Sequence, residues 1–227
     1  MMREIVLDTE TTGLRPEEGH RIVEIGCVEL VNHVPTGRTF RTYLNPDRLM
    51  EAKATEISGI TDEMLVGQPA FGDIAQALLD FIAAAPIVAH NAPFDMGFLN
   101  AEFTRIGMAT MPPERAIDTV MIARRKFPGA PASLDALCKR FNIDLSERVK
   151  HGALLDAKLL ADVYLELCGG RQFGLSLQGD ADVASGAAKT HGARPEPLAP
   201  LLTADEEAAH AAFLKEFKTT PIWNQYG

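Results

Sequence analysis

The chain has 227 residues, of which 46% are hydrophobic, enough for one domain with a full core and a smaller additional part. Its net charge of −9 excludes a protein that grips long duplex DNA unaided, because such proteins are usually basic. Three widely spaced cysteines predict no disulfide framework. The charged N-terminus and the interrupted apolar stretches predict neither a signal peptide nor a membrane span, so we expect a cytoplasmic protein without membrane contact.

Three β-strands are predicted near the N-terminus. The runs Ile5–Asp8, Arg21–Val31 and Thr39–Leu44 are apolar and rich in β-formers. The connections between them are short, which is typical of an antiparallel meander.

The hydrophobic period changes after these strands. Ile74, Leu78 and Ile82 share one helix face. A short buried strand is expected at Pro86–Asn91 and a last short strand at Ala116–Asp118. Further helices are predicted through Leu99, Phe103 and Ile106, at Thr119–Lys126, after the capping residue Ser133, and at Ala153–Leu167. This order predicts an α/β domain whose mixed five-stranded sheet combines the meander with parallel strands and is flanked by helices.

The C-terminal part is predicted to be organised differently. Residues 178–200 are rich in Gly, Ala, Ser, Asp and Pro and cannot bury a core, so they indicate a linker. Thr203 and Glu206 then form a capping box at the start of a short helix. We therefore predict a main domain over residues 1–170, a linker segment over 171–202, and a docking helix and tail over 203–227.

Four acidic residues lie where predicted elements end or begin. Asp8 and Glu10 follow the first strand two residues apart, Asp95 follows a buried strand, and Asp156 lies early in the last long helix. Each acid taken alone is better explained as a turn or cap residue, so the functional interpretation rests on all four together with a histidine. Four carboxylates in one cleft need cations to neutralise them, and oxygen ligands select hard ions such as Mg²⁺ or Mn²⁺. Two such ions would suit phosphodiester cleavage.

Other polar residues near these elements receive different interpretations. His151 precedes Asp156 by five residues and is predicted on the loop before the helix, facing the same cleft as a general base. Asp118 and Asp135 are assigned to helix capping or to a solvated face.

The motifs "LDTETTGL", "HNAPFD" and "HGALLDA" resemble the DEDDh exonucleases, which share a ribonuclease-H-like fold. The stretches "RIVEIGCVELV", "YLNPDRL", "ARRKFPG" and "SLDALCKRF" are similar to the epsilon proofreading-subunit branch of that family, from bacterial DNA polymerase III. The similarity covers about residues 3–170. One departure is the serine of "ISGIT", Ser58, which stands where the family usually has histidine.

The resemblance implies a 3′–5′ proofreading exonuclease that removes mismatched 3′-terminal nucleotides and releases nucleoside 5′-monophosphates. Asp8, Glu10, Asp95 and Asp156 would hold two Mg²⁺ or Mn²⁺ ions, and His151 would be the general base. The residues expected to contact the 3′ end of the DNA strand are Thr9, Thr11, Gly13, Leu14, Ile57, Ser58, Asn91 and Phe94.

The tail carries predicted partner contacts. Gln172, Leu175 and Leu177 form a Q-x-x-L-x-L pattern that resembles the sliding-clamp motif of bacterial replication proteins. The helix and tail that follow residue 203 resemble the epsilon region that docks on the catalytic alpha subunit, and a small accessory subunit is a further possible partner. The expected anchors there are Phe213, Phe217 and Trp223.

Two alternative functions stay open from the sequence. A related DEDDh ribonuclease would trim RNA 3′ ends with the same chemistry, although the linker and docking helix argue against it. A non-catalytic polymerase–clamp assembly subunit would have no use for the clustered carboxylates.

Overall fold

The computed structural model describes residues 2–146, 148, 150–170 and 203–216. The chain divides into two compact units, residues 1–175 and 176–227. The predicted limits of the linker segment lie outside the described residues and stay a prediction. No described helix is both long and apolar enough to cross a lipid bilayer.

A mixed five-stranded sheet forms the centre of the first unit, with strand order β3-β2-β1-β4-β5. β1 pairs antiparallel with β2, and β2 with β3, whereas β1–β4 and β4–β5 are parallel pairs. The predicted fold class is confirmed. The strands are β1 (Arg3–Thr11), β2 (Ile22–Val31), β3 (Val34–Tyr43), β4 (Ile87–Ala89) and β5 (Ala116–Asp118).

Helices cover both faces of the sheet, and all five helical regions predicted in this unit are present. They are α3 (Phe71–Ile82), α4 (Ala92–Arg105), α5 (Thr119–Lys126), α6 (Leu134–Phe141) and α7 (Ala153–Leu167), preceded by the short helices α1 (Ala52–Ser58) and α2 (Asp62–Leu65). Asp118 accepts a hydrogen bond from Val120 N at 2.9 Å and caps α5, as its assignment to capping predicted. Ser133 caps α6 through Ala136 N.

The alternation of side chains along β1 divides the core into two layers. Ile5 and Leu7 join the cluster formed with α3 and α4, whereas Val6 faces the cluster formed with α6 and α7. All three are fully buried, so the strand is hydrophobic on both faces. The C-terminal end of β1, which carries Asp8 and Glu10, therefore lies between the two helical layers.

Two regions of the first unit differ from the prediction. β3 begins at Val34, five residues before the predicted Thr39, because Asn32 and His33 form a tight turn with positive φ angles of 52° and 66°. The added residues are all exposed and include a proline and a glycine, so they give no strand-like hydrophobic alternation. Helices α1 and α2 were not predicted, since each is short and buries one residue only.

Candidate active site

Strand β1 delivers the first two carboxylates. Asp8 pairs with Gly26 of β2, and Glu10 pairs with Glu24, so both acids face the same side of the sheet. Thr9 lies between them and donates its hydroxyl to Asp95 Oδ1 at 2.7 Å. Asp95 is 3% exposed and lies in the first turn of α4. The hydrogen bond therefore ties the third acid to the strand that carries the first two.

Close packing of α7 on β2 positions the fourth carboxylate, that of Asp156. A Cβ atom on Gly26 would lie 2.2 Å from the backbone of Ala153 and Leu154, so only glycine permits this approach. Glu24 Oε2 accepts a hydrogen bond from Ala153 N at 3.1 Å and satisfies a free donor at the start of the helix. Asp156 then lies in the first turn of α7 and is 4% exposed.

His151 lies beside this turn, on the loop before α7. Its Nδ1 is 3.4 Å from Asp156 Oδ2, and ligand atoms of Glu10, His151 and Asp156 all lie within 4.8 Å of one another. The backbone N–H of His151 donates to the carbonyl of Ile57 at 3.2 Å. This hydrogen bond connects the loop of the histidine to the end of α1.

The carboxylates are electrostatically unfavourable as anions. Burial, followed by the charges of Asp156, Glu24 and Asp95, raises the pKa of Glu10 to about 8. Burial raises the pKa of Asp95 to about 7, although the hydrogen bond from Thr9 opposes the shift. The pKa of Asp8 is also raised, by burial and then by Asp95, Glu10 and Asp156.

A divalent cation suits this donor set. The groups that approach one another are carboxylate oxygens with one imidazole. The raised pKa values of Asp8, Glu10 and Asp95 indicate that positive charge would stabilise their ionised forms. The four predicted acids thus influence one another electrostatically, and they fit the predicted metal.

Arg148 is a residue of this site that the sequence analysis missed. Its Nε and Nη2 atoms donate to the two oxygens of Asp156, each at 2.6 Å, and Nη2 also lies 3.0 Å from His151 Nδ1. A further hydrogen bond reaches Asp135, which is exposed. The only sequence signal was a basic residue shortly before the histidine, and basic loop residues are too common to be diagnostic.

A pocket of about 330 Å³ adjoins Glu10. Six of the eight residues predicted to contact the substrate line it, and Glu51, Lys53 and Ala54 of the α1 region, which the sequence analysis did not single out, complete the lining. The predicted residues in the lining are Thr9, Thr11, Gly13, Leu14, Ile57 and Phe94. Leu14 and Ile57 are 72% and 42% exposed, so apolar surface is available to a ligand.

Two residues predicted for the same role lie elsewhere. Ser58 is buried, and its hydroxyl donates to Ala54 O at 2.9 Å and accepts from Ile60 N at 3.2 Å, so it closes the end of α1 and does not line the pocket. Asn91 lines a neighbouring cleft with His90, Asp118 and Ser133. Its φ of 70° places it at the left-handed start of α4.

Comparison with known proteins identifies the family. Residues 5–164 match the family model RNase_T, described as Exonuclease. The DNA polymerase III subunit epsilon of Rickettsia felis is 54% identical over 174 residues, which are 75% of this chain and 76% of that protein. The subunit of the same name from Escherichia coli K12 is 43% identical over 223 residues, 93% of this chain and 92% of its own length.

The chain belongs to the epsilon-subunit family of DNA polymerase III. It is a 3′–5′ exonuclease with a proofreading function, so the predicted family and activity are confirmed. Use of divalent metal ions is general for enzymes of this family.

Solved structures agree with this membership. Exonuclease X in complex with 5′ overhanging duplex DNA superposes with a TM-score of 0.58 at 29% identity, covering 74% of this chain and 90% of that one. The nuclease domain of 3′hExo, a DEDDh family member bound to rAMP, gives a TM-score of 0.61 at 20% identity, covering 73% and 91% of the respective chains. The second likeness concerns the fold alone.

The second unit of this epsilon-family chain is described only at its helix, α8 (Ala204–Leu214). Thr203 and Glu206 form the predicted capping box at its start. Phe213 lies on this helix and is 52% exposed. The other predicted partner contacts, Gln172, Leu175, Leu177, Phe217 and Trp223, lie outside the described residues.

Proposed function

We propose that the chain removes the mismatched 3′-terminal nucleotide of a DNA primer strand, with two Mg²⁺ or Mn²⁺ ions held by Asp8, Glu10, Asp95 and Asp156. The observation that carries this proposal is the convergence of the buried or half-buried carboxylates beside one pocket. When bound, the divalent ions supply positive charge that stabilises the attacking and leaving oxygens of the displacement.

His151 is the proposed general base. Its side chain is 46% exposed, so solvent can reach the ring, while Asp156 lies close enough to stabilise the imidazolium that forms on proton uptake. The histidine therefore takes the proton of the attacking water, and its solvent-facing position lets it release that proton afterwards.

The pocket is proposed to hold the terminal nucleotide. Its volume of about 330 Å³ is at the lower end of ligand sites, which suits one nucleotide. Leu14 and Ile57 offer apolar surface to the base, and the hydrogen bond from Thr9 fixes the Asp95 carboxylate. Since Glu10 lines the same pocket, the scissile phosphate of a bound nucleotide would lie next to the carboxylates.

Partner proteins are proposed to supply the basic DNA-binding surface that the acidic chain lacks. The names of the relatives place those proteins in DNA polymerase III. By analogy, the C-terminal helix and tail would dock on the catalytic alpha subunit, residues 172–177 on the sliding clamp, and the polymerase would provide the basic DNA grip. A small accessory subunit remains part of the proposal.

Digestion of a primer with a 3′ mismatch tests the proposed chemistry. Asp8→Asn removes one charge from the carboxylate set with little change in volume, and we expect the rate to fall at least about 100-fold with 5′-monophosphate as the wild-type product. Glu17→Gln, an exposed acid outside the site, is the control and should retain full rate. Undiminished hydrolysis by Asp8→Asn, or by the wild-type enzyme in EDTA, would exclude the metal assignment.

The same assay distinguishes DNA from RNA as substrate. We expect the mismatched DNA primer to be degraded faster than an RNA strand of the same sequence. A clear preference for RNA would favour the ribonuclease alternative.

A further inference from the structure

The guanidinium of Arg148 binds the carboxylate of Asp156 through both of its oxygens. Nε donates to Oδ1 and Nη2 donates to Oδ2, each at 2.6 Å, and the two side chains are 8% and 5% exposed. A forked, desolvated ion pair of this kind is stronger than an ordinary surface salt bridge. The arginine thus occupies both oxygens of a proposed metal ligand.

The same guanidinium also contacts the side chain of His151. Nη2 of Arg148 lies 3.0 Å from His151 Nδ1. Because arginine has no acceptor atom, a hydrogen bond at this contact has the guanidinium as donor and Nδ1 as acceptor. In this arrangement the guanidinium covers Nδ1 of the histidine.

We propose that Arg148 is a positioning residue: it serves as the internal cation of the carboxylate site in the absence of divalent ions, and it turns away from Asp156 and His151 when an ion binds. The proposal rests on the proposed roles of Asp156 as ligand and His151 as base. Ion binding then frees the Asp156 carboxylate and Nδ1 of His151 in one movement.

Asp135 offers a place for the displaced arginine. Nη1 of Arg148 already contacts its carboxylate, and the side chain of Asp135 is 53% exposed compared with 5% for Asp156. A guanidinium that leaves the inner carboxylate can therefore keep an ion pair with the outer one. Because one contact persists, the movement costs less than full exposure of an unpaired charge.

The electrostatics of the site agree with competition between the two cations. Burial and the neighbouring acids raise the pKa of Glu10, whereas Arg148 acts in the opposite direction, as a divalent ion would. Two positive groups that stabilise the same carboxylates repel each other. Removal of the arginine charge should therefore strengthen divalent-ion binding.

Arginine side-chain NMR provides a direct test on the full-length wild-type chain. With nitrogen-15 label, we expect addition of Mg²⁺ to shift or broaden the Nε–H signal of Arg148. Arg21 is the internal control, since its Nε and Nη2 atoms grip the Glu102 carboxylate at 2.6 and 2.8 Å in the same way. An Arg148 signal that stays unchanged at saturating Mg²⁺ would overturn the proposal.

Titration of Mn²⁺ by calorimetry tests the competition. We expect Arg148→Gln to lower the Mn²⁺ dissociation constant by about 3- to 10-fold, a tenfold change being about 1.4 kcal/mol. Arg148→Lys keeps the charge without the forked geometry and should lie between Gln and wild type. Arg140→Gln, an exposed arginine of α6, is the matched control and should stay within about twofold.

The outcomes separate this proposal from the proposed function. Unchanged or weaker Mn²⁺ binding by a folded Arg148→Gln variant would contradict the displacement and leave the metal site standing. Wild-type protein that binds no Mn²⁺ would instead contradict the metal site itself. If Arg148→Gln does not fold, the lysine variant and the NMR signal decide.

Discussion

Glu10 and Asp95 link the protonation of the site to the stability of the domain. Their pKa values in the folded protein are raised to about 8 and about 7, from ordinary values of 4.5 and 3.8. At a pH between the ordinary and the raised pKa value of each residue, the folded protein holds a proton that the unfolded chain has released. The stability of the folded protein therefore falls as pH rises through this range. A divalent ion that binds the ionised carboxylates offsets this loss of stability.

Thermal unfolding in EDTA measures that link. We expect the Tm of the wild-type chain to fall between pH 6.5 and pH 8, while Glu10→Gln shows a smaller decrease. At pH 8 the metal-free variant should be more stable by about 1 kcal/mol, or about 2–4 °C in Tm. Saturating Mn²⁺ should abolish the decrease for wild type. A wild-type Tm that is constant or rises over this range in EDTA would contradict the account.

At the scale of elements, the contact between α7 and β2 sets the geometry of the site. Gly26 lets the helix start directly on the strand, opposite Asp8, and the same helix carries Asp156 in its first turn. The distance between Asp8 and Asp156 therefore depends on Gly26, which has no side chain.

Gly26→Ala should displace this helix. A Cβ at 2.2 Å from backbone atoms cannot be accommodated without movement, and overpacking of this kind costs about 1–3 kcal/mol. We expect urea unfolding to show that loss, together with weaker Mn²⁺ binding. Gly97→Ala in α4 is the control: no atom lies within 4 Å of its Cβ, and the change should be neutral or stabilising by up to about 1 kcal/mol. Equal stability of the two variants would contradict the packing argument.

The sequence predicted the elements that carry a hydrophobic period and missed those that do not. Most of the sheet and helices α3 to α7 follow from buried apolar side chains, whereas β3 is exposed over its first half and α1 buries only Ser58. The site residues with a motif, whose roles stay a prediction, were identified from the sequence. Arg148 was not, because its importance comes from tertiary contacts with Asp156 and His151 that no local spacing reveals.

At the scale of the whole molecule, the net charge of −9 is consistent with an enzyme that holds a short strand end and relies on partners for the DNA duplex. The catalytic unit has its own core, with helices on both sides of the sheet. Catalysis and partner binding should therefore be separable.

Truncation after Gly170 tests this division. The shortened chain should hydrolyse the mismatched primer at a rate within about twofold of the full chain, because the carboxylates and the pocket lie before that residue. It should no longer co-elute with the polymerase catalytic subunit on size-exclusion chromatography. Gln172→Ala with Leu177→Ala in the full chain should lose the sliding clamp and keep the polymerase. Retained co-elution of the truncated chain would contradict the docking assignment.

Asp8, Glu10, Asp95 and Asp156 are proposed to form one site for divalent ions. A crystal structure of the chain with Mn²⁺ and a nucleoside 5′-monophosphate, with anomalous data for manganese, tests this proposal most directly. We expect two anomalous peaks about 3.5–4 Å apart among these four carboxylates, with Asp8 bridging them and the nucleotide in the adjoining pocket. Manganese peaks only elsewhere, or no peak within coordination distance of Asp8, would contradict it.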